Sequence, residues 1–304
     1  MANNDFAYRF TDERYVTKTE LPRLLGSSLI EHFWIQIENY RKANAKRLAL
    51  RSLTQIPFFV TMTPECDFVF TGGEPLANLE MLQMMLDAIP HTHKVFINTT
   101  LPAGGKYSME DVAKFLNANY EQGNITGINV SRHLRKYVQE CSDEIFGMIN
   151  FQARINCVLY KSFEPEEVVR FVERFKKHTA YIQFRRDYCI TTVDNLYDEE
   201  HDVILKCLKN AFNYVGPFGQ YRMRCGYEFS CDGYKITYHK TLPYSKITTN
   251  DKDTFILYDI IIKQDGTIKD DWNVCNNIDS RVCDKIADPL DLNAYRCVQY
   301  EDYR

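Results

Sequence analysis

Long apolar runs are absent from this sequence, and so are other features that would place it in a special class of protein. No stretch of about 18 consecutive apolar residues occurs, which argues against a membrane-spanning helix. The first residues, Met1–Asp5, are polar and include an acid, so we expect a cytoplasmic location and no secretory signal. The 10 cysteines among 304 residues do not form the dense framework of a small secreted domain, so most should be reduced thiols.

An excess of positive charge is missing as well. The formal net charge is -4, whereas general nucleic-acid binding relies on clustered Lys and Arg, so that function is not expected. Internal repeats and low-complexity tracts are also absent. What is present is ordinary for a globular protein: 45% hydrophobic and 26% charged residues, in a chain long enough for one large α/β domain or for a core domain with an appendage.

Short apolar runs alternate with helix-like segments through the middle of the chain. Helices are predicted where apolar residues recur every three to four positions, over 78–88, 108–120, 134–149, 165–177 and 198–212. Ser108 is predicted to cap the second of these helices, with Asp111 three residues on as a partial capping box. Strands are predicted at the short apolar runs 58–62, 68–70, 95–97, 127–130, 153–159 and 181–184. Because strands alternate with helices, the sequence predicts βαβ units and a mainly parallel sheet, which is an α/β fold.

The two ends differ from this middle part, residues 57–190. Residues 1–56 are predicted to be an N-terminal helical segment, with a helix over 29–53. The basic face of that helix fits either a solvated surface or a docking face for an acidic partner. Residues 191–304 carry β-like stretches and the turn dipeptide Asp232-Gly233, and predict a small mixed β extension packed on the α/β core.

The segment Thr71–Pro75 reads Thr-Gly-Gly-Glu-Pro and stands between an apolar strand and a helix. Gly72 and Gly73 let a ligand approach the backbone, while Glu74 carries a carboxylate that can receive an ammonium group. Pro75 stiffens the turn into the helix. A Gly-Gly pair after a strand is also a common tight turn, so the motif alone leaves both readings open.

Gly-Gly-Glu-Pro after a strand resembles the S-adenosylmethionine (SAM) motif of the radical SAM superfamily, in which it binds the methionyl amino group. Later strand ends resemble further segments of that family, most like its molybdopterin-biosynthesis cyclase branch, at 98–101, 129–132, 154–159 and 184–186. The resemblance covers residues 57–188. It implies a partial (β/α)6 barrel, perturbed at its first strands, with SAM and a [4Fe–4S] cluster as cofactors.

The resemblance also implies roles for individual residues. Ser131 and Arg132 would contact the ribose or the carboxylate of SAM. The other SAM-binding positions that the resemblance implies are Gly72, Gly73, Glu74, Pro75, Asn98, Asn156 and Arg185. From the residues alone, a surface or structural role fits Arg132, Arg185 and Arg186 as well as a ligand role does. Asn156 could equally satisfy a buried backbone group.

The cysteine motif that would hold the cluster is incomplete in this chain. The family's three cysteines usually follow the first strand as Cys-x-x-x-Cys-x-x-Cys, and Cys66, the metal ligand implied here, matches only the first of them. Asp67 already opens the next predicted strand, so the other two cysteines and the crossover between parallel strands are missing. Pro64-Glu65 therefore predicts a turn into an antiparallel hairpin, in preference to one fused strand or a first run that leaves the sheet.

Distant residues offer other metal ligands. The cysteines of the C-terminal part lack metal-site spacing and fit either unliganded thiols or an auxiliary iron–sulfur or zinc site, at Cys225, Cys231, Cys275, Cys283 and Cys297. His91 and His93 fit a solvated turn or a metal pair. Asp270-Asp271 fits an exposed acidic turn or a cation site.

Two functions are expected from these observations. The first is a radical SAM enzyme that reductively cleaves SAM to start radical chemistry on an unknown substrate, with a reducing partner. Because two of the three cluster cysteines are absent, such an enzyme would be impaired. The second is a non-catalytic module derived from that family, which binds a ligand or a protein.

Overall fold

The structure is a computed structural model that describes residues 5–17, 66–71, 74–87, 89–101, 106–135, 140–159, 163–186, 199–220, 223–240, 246–248, 254–262 and 268–269. Within this part of the chain all twelve strands belong to one sheet. In chain order they are β1 (Asp5–Thr17), β2 (Cys66–Thr71), β3 (Val95–Thr99), β4 (Gly127–Ser131), β5 (Ala153–Leu159), β6 (Thr179–Arg186), β7 (Asn213–Gln220), β8 (Met223–Cys231), β9 (Tyr234–His239), β10 (Lys246–Thr248), β11 (Thr254–Ile262) and β12 (Ile268–Lys269).

Six neighbouring strands form the parallel centre of the sheet. The order across the sheet is β10-β11-β1-β2-β3-β4-β5-β6-β9-β8-β7, with β12 beside β11. Strands β2, β3, β4, β5, β6 and β9 run parallel, while β1 and the two outer groups pair antiparallel. The described strands do not close into a barrel, since β10 and β7 stand at opposite ends of this order.

The described part of the chain also contains five α-helices: α1 (Leu79–Asp87), α2 (Met109–Glu121), α3 (Ile145–Met148), α4 (Pro165–Phe175) and α5 (Val203–Ala211). The parallel strands follow one another across the sheet in chain order, without a reversal. Since crossover connections are right-handed, an unreversed order sends every crossover helix to the same face of the sheet. One layer of helices on one face is therefore the expected arrangement.

The core lies between this face and the helices. A single cluster of buried apolar residues contains the inward stripes of α1, α2, α4 and α5 together with alternate residues of the parallel strands. One register row of that face consists of Thr99, Val130, Ile155, Ile182 and Ile236, all of them buried. We call it the helix face.

The opposite face of the parallel strands carries polar side chains. One register row reads Ser131, Asn156, Gln183 and Thr237, and the row before it reads Asn98, Asn129, Arg154, Tyr181 and Lys235. None of the residues in these two rows belongs to the apolar cluster, so this side of the strands is a separate, polar surface. We call it the polar face. Its carboxyl-terminal part is where α/β folds with one helix layer build their sites.

Most predicted elements of the middle part are confirmed to within a few residues. The capping box expected at the start of α2 is present, because the Ser108 hydroxyl accepts from the Asp111 N–H at 3.1 Å and the Asp111 carboxylate accepts from the Ser108 N–H at 3.0 Å. At the β8–β9 turn, Asp232 and Gly233 both have positive φ, 51° and 83°, as a tight hairpin turn requires. Because strands alternate with helices and the central strands pair in parallel, the α/β fold class is confirmed.

The helix predicted over 134–149 is wrong in most of the part that the structure describes. Among residues 134–135 and 140–149 only α3 is helical, and the Cys141 N–H donates to the Leu101 carbonyl at 3.0 Å instead of to a helical partner. The Glu140 carboxylate accepts a hydrogen bond from the His133 N–H at 2.9 Å, which also favours a loop between these two residues over a helix. These tertiary bonds override the helical periodicity of the sequence.

The hairpin predicted at Pro64-Glu65 falls outside the described residues and stays a prediction. Strand β2 itself pairs along one edge with β1, antiparallel, and along the other with β3, parallel. The strand predicted over 58–62, and the basic helix predicted over 29–53, lie outside the described residues.

The C-terminal strands do not pack on the sheet as a separate layer but continue it. Strand β9 pairs parallel with β6, and β7 and β8 extend that side. Strand β11 pairs antiparallel with β1 at the other side. The expected mixed β character is present, and its position differs from the prediction because β9 completes the parallel series.

Candidate functional site

The carboxyl edge of the parallel strands collects most of the residues that the sequence singled out. Glu74 and Pro75 follow β2, Asn98 lies near the end of β3, and Ser131 ends β4. Asn156 lies beside Ser131 in the same register row, and Arg185 is near the end of β6. Gly72 and Gly73 lie outside the described residues. Parallel pairing alone brings these positions to one edge, since each strand ends there.

Glu74 is held by four hydrogen bonds from its own chain. One carboxylate oxygen accepts from the Thr99 hydroxyl at 2.6 Å and from the Leu76 N–H at 3.1 Å. The other accepts from the N–H and the hydroxyl of Thr100, both at 2.8 Å. A carboxylate offers about four acceptor positions, so this network uses them all. Glu74 thereby joins the ends of β2 and β3 and caps the short 3-10 helix Pro75–Ala77.

Arg132 is buried, with its side chain fully removed from solvent. Its guanidinium donates to the carbonyl oxygens of Thr100 and Ser131 and approaches the Cys141 sulfur at 3.5 Å. The cationic head also stacks 5.3 Å from the centre of the Phe146 ring. Cys141 and Phe146 belong to the apolar core, so the Arg132 side chain lies on the helix-face side and fixes the segment after β4 there.

On the polar face, Asn98 of β3 lies next to Asn129 of β4. The Asn129 amide donates to the Asn98 side-chain oxygen at 2.6 Å, and Asn129 is buried. Each side chain thus satisfies part of the hydrogen-bonding requirement of its neighbour, as cross-strand polar pairs do.

The next register row is less well satisfied. The Asn156 side-chain oxygen and the Thr237 hydroxyl are buried and have no hydrogen-bond partner among the described residues. Gln183 lies between them in the row and is itself buried. Buried polar atoms of this kind are rare in native proteins and call for an unseen water, ion or ligand. In this row, therefore, the polar face presents buried polar atoms that could form hydrogen bonds to a ligand.

Positive charges surround that row. Arg154 lies two residues before Asn156, and Arg185 lies two residues after Gln183. His239 is buried beside Arg185, and burial lowers the pKa of its imidazole well below the usual range, with Arg185, Arg154 and Lys235 adding to the effect. The imidazole is therefore neutral at pH 7.

Cys66 does not lie with the other predicted site residues. It is the first residue of β2, so it stands at the amino edge of the sheet. The strand rises by about 3.3 Å per residue, which separates Cys66 from the carboxyl end of β2 by roughly 16 Å. Glu74, Ser131 and Asn156 all belong to that other end.

The remaining described cysteines do not assemble a cluster site either. Cys141, Cys157 and Cys207 are buried, and none of them belongs to a group of three possible metal ligands among the described residues. Cys231 lies at the amino edge with Glu173 and Asp232, their ligand atoms within 4.8 Å of one another. The Lys176 ammonium already binds both carboxylates there, at 2.6 and 3.2 Å.

The residues thus fit the two implied cofactors differently. A [4Fe–4S] cluster does not fit the described residues, because no three thiolates converge at the carboxyl edge. A polar organic ligand such as SAM does fit, because the polar face presents buried hydrogen-bonding atoms without partners at that edge. The other suggested metal pair is not assembled: His91 is exposed, whereas His93 is buried with its ring 5.4 Å from that of Phe68.

Several residues of the site were missed by the sequence reading. Arg154, Gln183, Thr237 and His239 belong to the polar face but were not selected. The signal was available, because strands of a parallel sheet that are buried on both faces read as continuous apolar runs. The alternation of polar and apolar residues over 153–159 indicates one polar face instead.

Comparisons with known proteins give no match among protein-family models, curated proteins or solved structures. Among the described residues, no helix has both the length and the apolar character needed to cross a membrane.

Proposed function

We propose that this chain is a radical-SAM-like protein that binds SAM, or a closely similar nucleoside, on the polar face without holding an iron–sulfur cluster. The observation that carries the proposal is the row Ser131, Asn156, Gln183 and Thr237 near the carboxyl edge. Two of its polar atoms are buried and lack partners among the described residues. The carboxyl ends of parallel strands are the usual position of a ligand site in such folds.

The motif that resembles the family's SAM-binding segment stands beside this row. Glu74 connects the segment after β2 to the end of β3 through its four hydrogen bonds. The expectation that Glu74 also receives the SAM ammonium group remains a prediction. In the proposal Asn156 and Thr237 supply the hydrogen bonds to the ligand, and Ser131 lies beside them.

Catalysis of the radical SAM type is not part of the proposal. The cluster supplies the electron that cleaves SAM, and the described cysteines do not fit it. Cys66 stands at the edge opposite to the site. A binding protein requires neither a cluster nor a reducing partner.

The test is SAM binding by iron-free protein. We expect isothermal titration to detect SAM binding after chelation of all iron, and expect Asn156→Ala to weaken it about tenfold, since one hydrogen bond to a ligand is worth about 1.4 kcal/mol. Gln152→Ala is the matched control, because Gln152 is exposed and precedes the same strand at the amino edge.

Anaerobic reconstitution with iron and sulfide completes the test. We expect no stoichiometric cluster per chain and no absorbance change on adding SAM. Four irons per chain with a SAM-dependent spectrum would restore the enzymatic hypothesis and overturn this one. An absence of SAM binding by the iron-free protein would overturn it too.

A further inference from the structure

Three buried polar atoms of the polar face differ in the hydrogen bonds that they can form with a ligand. The Asn156 side-chain oxygen can only accept, the Arg154 Nε–H can only donate, and the Thr237 hydroxyl can do both. Each of these atoms lacks a hydrogen-bond partner among the described residues. A bound ligand that completes this set must therefore carry both donors and acceptors.

The acceptor of Asn156 and the donor of Arg154 are spaced so that one group can bind both. The two residues belong to β5 with one residue between them, so their side chains leave the same face of the strand about 7 Å apart. Two hydrogen bonds of about 2.9 Å bridge about 6 Å of this gap, and adjacent atoms of a ligand cover the rest. The ligand edge that fits has an N–H donor beside an acceptor.

Tyr181 holds the Arg154 guanidinium in place. The guanidinium donates to the Tyr181 hydroxyl at 3.0 Å, and its central carbon lies 5.7 Å from the centre of the Tyr181 ring. A fixed guanidinium presents its remaining Nε–H in one direction, which favours a directional hydrogen bond. Asn156 and Thr237 are uncharged, so the part of the ligand that they bind needs no net charge.

We propose that Arg154 and Asn156 form a subsite that recognises the 6-amino edge of an adenine base. The amino group of adenine donates to the Asn156 oxygen, and the ring nitrogen beside it accepts from the Arg154 Nε–H. Thr237 lies two strands away from Asn156, at about 10 Å, so its hydroxyl binds a different polar group of the same nucleoside. This inference rests on the proposed function and deepens it, because it assigns the base of the ligand to a defined pair of residues.

A base with an oxygen at position 6 does not match this pair. Hypoxanthine, the base of inosine, has a carbonyl oxygen in place of the amino group and an N–H in place of the ring acceptor. Its carbonyl faces the Asn156 oxygen and its N–H faces the Arg154 N–H, so neither hydrogen bond forms. A site whose buried polar atoms stay unpaired with an analogue rejects that analogue.

The test compares adenosine with inosine in calorimetric titrations of the iron-free full chain. We expect wild-type protein to bind adenosine at least about tenfold more tightly than inosine, because both hydrogen bonds are lost with inosine. Asn156→Ala should reduce this preference to about threefold or less, because the acceptor for the amino group is gone. Gln152→Ala is the matched control and should keep the preference, since Gln152 is exposed and precedes β5.

Two further variants separate recognition of the base from other effects. Arg154→Lys keeps the positive charge but removes the Nε–H, so the preference for adenosine should fall as it does in Asn156→Ala. Thr237→Val keeps the shape of the side chain and removes a hydroxyl that lies away from the base. Both nucleosides should therefore bind Thr237→Val more weakly by the same factor.

The outcomes separate this inference from the proposed function. SAM binding together with equal binding of adenosine and inosine overturns the adenine subsite and leaves the SAM proposal intact. A preference for adenosine that survives in both Asn156→Ala and Arg154→Lys also overturns the subsite, because other groups then recognise the base. If neither SAM nor either nucleoside binds, both proposals are overturned.

Discussion

Single residues selected for ligand binding turn out to have contacts within the chain. Arg132 is buried among Thr100, Cys141 and Phe146, and Glu74 accepts four hydrogen bonds. A residue that fixes a loop is as necessary to a site as one that contacts the ligand, because the loop geometry depends on it. At this scale the sequence predicted ligand contacts for residues whose side chains the fold uses for contacts within the chain.

Glu74→Gln tests the structural part of this assignment. The substitution replaces an acceptor oxygen by an NH2 group that faces backbone or hydroxyl donors, so at least one buried hydrogen bond is lost and donors oppose each other. We expect a loss of about 1–3 kcal/mol in the free energy of unfolding, measured by urea denaturation. Glu80→Gln, at an exposed position of α1, should change it by less than about 0.5 kcal/mol. Equal stability of the two variants would refute the role given to Glu74.

At the scale of elements, one buried acid joins α5 to the sheet. Asp202 caps α5 by accepting from the Leu205 N–H at 3.0 Å, and it also accepts from the Tyr238 hydroxyl at 3.1 Å. The Lys240 ammonium lies 3.2 Å from its carboxylate, and both side chains are buried. Arg186 stands 3.7 Å away from the same oxygen. Asp202 therefore links the start of α5 to β9 and Lys240 by polar contacts, in addition to the apolar packing of the helix.

Asp202→Asn tests the contribution of these polar contacts. The amide keeps the size of the side chain but leaves two buried cations facing a neutral group, and breaking a buried ion pair from one side costs about 3–5 kcal/mol. We expect a loss of that order in the free energy of unfolding. Asp87→Asn, at the exposed end of α1, is the control and should lie within about 0.5 kcal/mol of wild type. A loss below about 1 kcal/mol for Asp202→Asn would contradict the network.

On the scale of the whole molecule, the sheet separates two environments. The helix face is apolar, and the polar face buries Asn129, Gln183, Thr237 and His239. Burial of titratable groups on that face couples global stability to pH, since an unfolded chain leaves them free to ionise.

His239 determines the direction in which the free energy of unfolding changes with pH. Its pKa in the folded protein is lowered well below the ordinary value of 6.5, so below pH 6.5 the unfolded chain binds a proton that the folded chain does not. The free energy of unfolding therefore falls as the pH drops below 6.5, by up to about 1.4 kcal/mol per pH unit, until the folded-state pKa is reached.

Urea unfolding at pH 7.5, 6.5, 5.5 and 5.0 checks this expectation. We expect His239→Gln to lose most of that slope between pH 6.5 and 5.5, because the residue no longer titrates. His178→Gln, at an exposed position, should keep the wild-type slope. Identical slopes in wild type and His239→Gln would show that the imidazole ionises freely in the folded protein.

Local patterns were sufficient to predict the helices and strands of the middle part. Apolar periodicity predicted β3, β4, β5, α1, α2 and α4, and Ser108 with Asp111 predicted the start of α2. These features depend on neighbouring residues in the chain, so they can be read from a sequence. The prediction of a helix over 134–149 was wrong because tertiary hydrogen bonds, which a local pattern does not show, fix the backbone there. The Leu101 carbonyl accepts from the Cys141 N–H, and the Glu140 carboxylate accepts from the His133 N–H.

The sequence by itself determined that this protein is an α/β protein with polar groups at successive strand ends, since both follow from the alternation of elements. Only the tertiary structure decided which side chains share the polar face, that Arg132 points away from it, and that Cys66 begins β2 at the opposite edge. Strand register and the pairing of β1 and β9 with the parallel strands set these positions. Such pairings join residues far apart in the chain, and their energies depend on packing that no local pattern encodes.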